Sequence, residues 1–132
     1  MSQRTLLLLS QDNHHYERLL KAAHLPHLHI LRADNQNEAE KLIGEAHILM
    51  AEPARARPLL AKASKLVWLQ STYAGVDVLL DASCRRDYLL TNVRGIFGPL
   101  MSEYVFGHLL SLSRQLPLYR EQQQQTLWQS HP

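Results

Sequence analysis

Residues 66–77 read Leu-Val-Trp-Leu-Gln-Ser-Thr-Tyr-Ala-Gly-Val-Asp: a short apolar run, a polar turn bearing a glycine, and the start of another segment. The apolar positions from Leu66 to Leu69 are consecutive rather than alternating, as in a strand buried on both faces of a parallel sheet. Four similar runs occur at Thr5 to Leu9, Leu28 to Leu31, His47 to Ala51 and Tyr88 to Val93. Three of the five are rich in leucine rather than in β-branched residues, so shortness and flanking turn residues identify them, not propensity. Helical patterns lie between them. Tyr16, Leu19, Leu20 and Ala23 form one apolar stripe, with Asp12 or Asn13 as its cap. Asn35 followed by Glu38 resembles a capping box and opens a helix through Leu42. Ala54 to Ala63, with Pro58 near its start, and Val76 to Ala82 supply two more. Strand and helix alternating in this way predict an open parallel α/β sheet of five strands, with helices on both faces and right-handed crossovers.

The chain has 132 residues, which suits one domain with a core that needs no staples. At 45% hydrophobic and 20% charged it is neither disordered nor fibrous. A formal net charge of +2 is too small a bias to argue for nucleic acid or an anionic membrane as partner. The lone Cys84 forms no internal disulfide, so a reducing cytoplasm is the expected compartment. Leu6 to Leu9 is too short for a secretory core, which needs about 7–15 apolar residues, and no run approaches the roughly 20 of a membrane helix.

The last quarter changes character. Gly98 and Pro99 punctuate the start of a helix extending to Leu116, about 27 Å at 1.5 Å per residue. Leu100, Met101, Tyr104, Val105, Phe106, Leu109, Leu110 and Leu112 are spread around its circumference, a pattern that expects burial from several sides. Pro117 must kink or end it. The run Gln122 to Gln125 reads as a solvated face. Self-association as a homodimer through the 99–116 helix is therefore expected, because a large apolar patch is rarely left wet.

Among the eight histidines, His24, His27 and His29 are the tightest group. They lack the cysteine or acidic partners of a zinc site, so no metal is expected. Cys84 precedes Arg85 and Arg86, which favour a thiolate, yet no histidine partner lies near it in sequence. The turn after Leu66 to Leu69 carries more. Ligands of open α/β sheets bind beyond the carboxyl ends of the strands, and a turn entering a helix presents free N–H groups to an anion. Gly75 there permits close approach or a positive φ, although an ordinary strand-to-helix turn without a ligand fits equally well.

The stretch Trp68 to Asp77 resembles the substrate loop of the D-isomer-specific 2-hydroxyacid dehydrogenases, of the glyoxylate/hydroxypyruvate reductase-like kind. Leu90 to Val105, reading Leu-Thr-Asn-Val-Arg-Gly-Ile-Phe-Gly-Pro-Leu-Met-Ser-Glu-Tyr-Val, is similar to the stretch that follows it there and opens the helix crossing to the cofactor domain. Trp128 also matches that layout. The resemblance implies a flavodoxin-like or Rossmann-like fold, with residues 1–97 as substrate-binding domain and 98–132 as interdomain helix and linker. It implies that the amides of Ala74 and Gly75, with Val76 as a third, hold the substrate carboxylate. Tyr73 would line the pocket, and Met101 would touch the nicotinamide side of the cleft. Arg94 and Glu103 read as a solvated rim residue and a first-turn carboxylate respectively.

This sequence departs from that family in one respect. No G-x-G-x-x-G occurs: Gly75, Gly95, Gly98 and Gly107 never fall at that spacing. The family's catalytic arginine, acid and histidine follow the fingerprint, so no position here carries them. The expectation is a substrate-binding part of an enzyme that reduces 2-keto acids to D-2-hydroxy acids with NAD or NADP as cofactor. Alone, the chain would be inactive and bind no dinucleotide. The rival is a non-catalytic α/β binding or dimerisation module.

Overall fold

Five strands form: β1 (Arg4–Leu9), β2 (Leu28–Arg32), β3 (Ile48–Ala51), β4 (Trp68–Ser71) and β5 (Leu89–Thr91). All pair in parallel, in the order β2-β1-β3-β4-β5, in a computed structural model that describes residues 3–131. The open α/β sheet expected from the short apolar runs is thus present. Central strands explain the consecutive leucines: Leu7, Leu8 and Leu9 of β1, Leu49 of β3 and Leu69 of β4 are all fully buried. Burying each contributes about 1.5–3 kcal/mol. The edge strands are wetter, with Leu89 of β5 61% exposed.

The helices are α1 (Asn13–Ala22), α2 (Gln36–Leu42), α3 (Pro53–Ala56), α4 (Gly98–Ser113) and α5 (Leu116–Gln124). Asn35 caps α2 by accepting from the Glu38 amide at 3.0 Å. The Glu38 carboxylate returns to the Asp34 amide, so the box is shifted by one residue from its usual form. Asp12 caps α1 without a side-chain bond; Asn13 is turned inward instead and joins Ser10 N–H to the Ala33 carbonyl.

Four expectations need correction. Strand β4 begins at Trp68, because the Leu66 amide is already committed to the Ala63 carbonyl in a turn, although Leu66 itself is buried. The expected helix from Ala54 to Ala63 is one turn of α3 followed by 3₁₀ turns over Arg57–Lys62, since Pro58 has no N–H to continue the α ladder. The expected helix from Val76 to Ala82 is a single 3₁₀ turn, Asp77–Leu79. Beyond it the Asp81 carboxylate accepts from both the amide and the hydroxyl of Ser83, a local bond that competes with helix propagation. Finally, the helix expected to Leu116 ends at Ser113. Gln115 turns left-handed (φ 53°), and Leu116 and Pro117 open α5, where proline is welcome. Glu103, expected in the first turn of this helix, lies beyond it, since α4 already starts at Gly98.

The chain packs as two compact units, Met1–Val93 and Arg94–Pro132. Met1, Ser2 and Pro132, included in the expected bounds 1–97 and 98–132, lie outside the described residues. Unit 1 holds the sheet and one core built on Leu7, Leu9, Leu49, Leu59, Leu69 and Leu79. In unit 2 no residue of α4 is buried.

Candidate functional site

Strand β4 delivers the loop of residues 72–76 to the carboxyl end of the sheet. Its entry is fixed from two sides. The Thr72 amide donates to the Ala51 carbonyl at 3.1 Å, continuing the β3–β4 ladder past the strand end. The fully buried Ser71 hydroxyl donates to the Tyr73 carbonyl at 2.8 Å and accepts from the Tyr73 amide at 3.0 Å. Its exit is held by the end of β5: the Val93 amide donates to the Tyr73 carbonyl, and Asn92 Nδ2 to the Ala74 carbonyl at 2.6 Å. Trp68, Thr91 and Gln70 are linked below by side-chain hydrogen bonds of 2.6–2.7 Å.

With the carbonyls of Tyr73 and Ala74 fixed, three consecutive amides follow without an internal acceptor. Among the described residues, no backbone or side-chain group accepts from the N–H of Ala74, Gly75 or Val76. Ala74 and Gly75 are exposed, so these donors face solvent; Val76 is half-buried and packs on the core. Tyr73 is 53% exposed. Gly75 does not take the positive φ that was one option for it. A Cβ at that position would meet only Asp77 Oδ2, at 3.8 Å. Nothing within unit 1 requires a glycine here, and its missing side chain leaves the loop open to approach from outside. Because only a 3₁₀ turn follows, the loop's own amides supply the donors, without a helix terminus behind them.

A second group of amides lies at the switch point between β1 and β3, where folds of this strand order take a nucleotide phosphate. There the amides of the turn from Ser10 to Asp12 are all used. Ser10 N–H bonds Asn13 Oδ1 (2.7 Å), Gln11 N–H bonds Glu52 Oε1 (3.0 Å), and Asp12 N–H bonds Ser10 Oγ (3.2 Å). The Ser10 hydroxyl also donates to Glu52 Oε1 at 2.6 Å, and Glu52 is buried. The other Glu52 oxygen faces Arg55 Nε at 3.6 Å, so the carboxylate is paired as well as bonded to the turn. The Tyr16 phenol keeps its proton more firmly than usual, through burial and the nearby Asp12 and Glu52 carboxyls.

The other singled-out residues lie on other elements. Met101, on α4, is 54% exposed and belongs to unit 2, as does the exposed Arg94. His24 and His27 adopt left-handed conformations around Pro26, at φ 46° and 69°, and His29 lies in β2. Among the described residues no three His, Cys, Asp or Glu side chains group to hold a metal ion. Cys84 is half-buried beside Val78 and lines an open cavity of about 530 Å³ with Arg57 and Arg85. Both guanidiniums there are already paired, with Asp81 and Asp87. Asn92, Ser71 and Glu52 escaped the sequence reading. Polar residues at the carboxyl end of an apolar strand or just past it are the signal that marks all three.

No family model and no curated protein matches this sequence. Solved structures do. A D-isomer specific 2-hydroxyacid dehydrogenase family protein from Klebsiella pneumoniae shares the fold, with a TM-score of 0.66 at 23% identity, over 100% of this chain and 41% of that one. A D-isomer specific 2-hydroxyacid dehydrogenase family protein from Aeromonas salmonicida subsp. salmonicida superposes with a TM-score of 0.92. That protein is 90% identical over 99% of this chain, which spans 42% of its length. Among the described residues no helix is long and apolar enough to cross a membrane. At 90% identity over 99% of its length, this chain corresponds to a part of a D-isomer specific 2-hydroxyacid dehydrogenase family protein.

Proposed function

We propose that this chain is the carboxylate-gripping part of an oxidoreductase that reduces small 2-keto acids, glyoxylate and hydroxypyruvate among them, to D-2-hydroxy acids in the cytoplasm. The observation that carries this reading is the set of three consecutive acceptor-free amides at Ala74, Gly75 and Val76. A carboxylate offers two oxygens with about four lone-pair sites, and backbone donors to an ionised acceptor are the stronger kind of hydrogen bond. Fixing the two carbonyls beforehand lowers the ordering cost of binding. Tyr73 supplies an aromatic wall, and the absent side chain of Gly75 leaves the space in which the acid approaches. Met101 is assigned to the nicotinamide side of the cleft by motif alone. The dinucleotide, NAD or NADP, belongs on this reading to the part of the relative's fold outside the matched 42%.

Alone, the chain holds an acid through amides without a cationic partner, so a dissociation constant in the millimolar range, about −4 kcal/mol, is expected. Titrating glyoxylate into the 132-residue chain and its Gly75→Val variant tests the assignment. The variant should bind about tenfold more weakly, a loss of about 1.4 kcal/mol. Its melting temperature should stay close to the parent's, since the added Cβ meets no backbone. Equal affinity in the two proteins would contradict the loop assignment.

A further inference from the structure

We propose that Gln70 is a positioning residue for the carboxylate loop: its side-chain amide replaces a backbone donor on the Ser71 carbonyl and so releases the Val93 amide to aim the Ala74 N–H. The inference rests on Ala74, Gly75 and Val76 being the carboxylate donors. Strands β4 and β5 pair Trp68 with Leu89, Leu69 with Leu90 and Gln70 with Thr91, and the Leu89 amide donates to the Val67 carbonyl at 2.9 Å. A parallel ladder repeats every two residues, so its continuation would bring the Val93 amide to the Ser71 carbonyl. It does not go there. The Val93 amide donates to the Tyr73 carbonyl at 3.3 Å, further along the chain, and Gln70 Nε2 donates to the Ser71 carbonyl at 2.7 Å in its place. On the other side of β4 the ladder keeps its step, from the Trp68 amide on the His47 carbonyl to the Thr72 amide on that of Ala51.

The orientation of the Gln70 amide is fixed by its neighbours. An indole N–H only donates, so Trp68 Nε1, 2.7 Å from Thr91 Oγ1, leaves the Thr91 hydroxyl to give its own proton to Gln70 Oε1 at 2.6 Å. With its oxygen held there, the amide turns its nitrogen to Ser71. The effect reaches the site through peptide planarity, because a carbonyl and the next residue's N–H share one rigid plane. The Val93 bond to the Tyr73 carbonyl therefore aims the Ala74 N–H, as the Asn92 bond to the Ala74 carbonyl aims that of Gly75. Gln70 acts through Val93 and not on the acid itself.

Gln70→Leu, of similar size but without a donor, tests this in the 132-residue chain. NMR couplings across hydrogen bonds, measured without ligand, read which carbonyl accepts from Val93. The parent should couple Val93 to Tyr73, and the variant should couple it to Ser71. Glyoxylate should bind the variant about tenfold more weakly, the scale of one misdirected charge-assisted hydrogen bond. The melting temperature should stay close to the parent's, because the Ser71 carbonyl gains a backbone donor for the side-chain donor it loses. Thr91→Val, which removes the hydroxyl that holds the Gln70 amide, should act in the same direction by a smaller factor and carries the test if Gln70→Leu fails to fold. Val93 coupled to Tyr73 in parent and variants alike, or equal glyoxylate affinity among them, overturns the proposal and leaves the loop assignment standing. A parent that takes up no glyoxylate overturns both.

Discussion

Leucine meets opposite fates in the two units of this molecule. In unit 1, Leu7, Leu8, Leu9, Leu49 and Leu69 reach zero exposure, because β1, β3 and β4 are flanked by strands on both sides and covered above and below. In unit 2, Leu100, Leu109, Leu110 and Leu112 are at least half exposed on a helix of equal apolarity. The same side chain therefore stabilises unit 1 from within and stands largely exposed on α4. Apolar patterning states that a segment requires burial; only long-range pairing decides where the burial occurs.

The sharpest way to break this contrast is truncation. Leu49→Ala should destabilise unit 1 by about 2–5 kcal/mol, the transfer term plus the cavity left in a close-packed core. Leu112→Ala, at 71% exposure, should leave the unfolding of unit 1 within about 0.5 kcal/mol of the parent. Chemical denaturation of both variants measures the two, and equal losses would erase the distinction between the units.

A smaller effect is expected where unit 1 carries its loop. Asn92→Ala removes the donor to the Ala74 carbonyl and should cost about 1 kcal/mol of stability. Its effect on glyoxylate affinity should be larger in proportion, because the carbonyl that sets the direction of the next amides is released. Calorimetry on parent and variant compares these, and full affinity retained would show that the amides are set by the backbone alone.

The smallest effect is that of acid. Glu17, Glu45, Asp81 and Asp87 of unit 1 are held below the ordinary carboxylate range. Their leading causes are hydrogen bonds from Lys21, Lys65, Ser83 and Arg85 respectively. A carboxyl whose pKa is lower folded than unfolded stabilises above its unfolded value, near 4, and loses that contribution as pH falls through the folded value. Unit 1 should therefore melt progressively earlier below about pH 4. All four pairs are solvent-exposed, so added salt should flatten the dependence. Melting curves at low and high salt check the sign; a rise in stability on acidification would contradict it.

Much of the fold is legible in the sequence for reasons that particular residues make clear. The runs at Leu6 to Leu9 and at Leu66 to Leu69 are short, apolar and bounded, and central parallel strands are what such runs become. The helices are less legible where proline or short polar side chains divert the backbone. Pro58 converts an expected helix to 3₁₀ turns, and the Asp81–Ser83 bonds stop another after one turn. The loop at residues 72–76 is visible through its glycine, but its preorganisation is not. That depends on Asn92, about twenty positions away, and on Ser71 turning its hydroxyl back on Tyr73. The bonding of the turn after β1 depends likewise on Glu52 reaching Ser10 and Gln11 across the β1–β3 pair. Such long-range side-chain contacts have no periodicity to betray them.

The two amide groups at the carboxyl end of the sheet provide the most direct test. Residue-resolved NMR of the ¹⁵N-labelled chain, titrated with glyoxylate, reads them in one experiment. The amide signals of Ala74, Gly75 and Val76 should move together to saturation, while those of Ser10, Gln11 and Asp12, already bonded to Asn13, Glu52 and Ser10 itself, should stay in place. Movement confined to Ser10–Asp12, or no movement at Ala74–Val76 at saturating acid, would contradict the account.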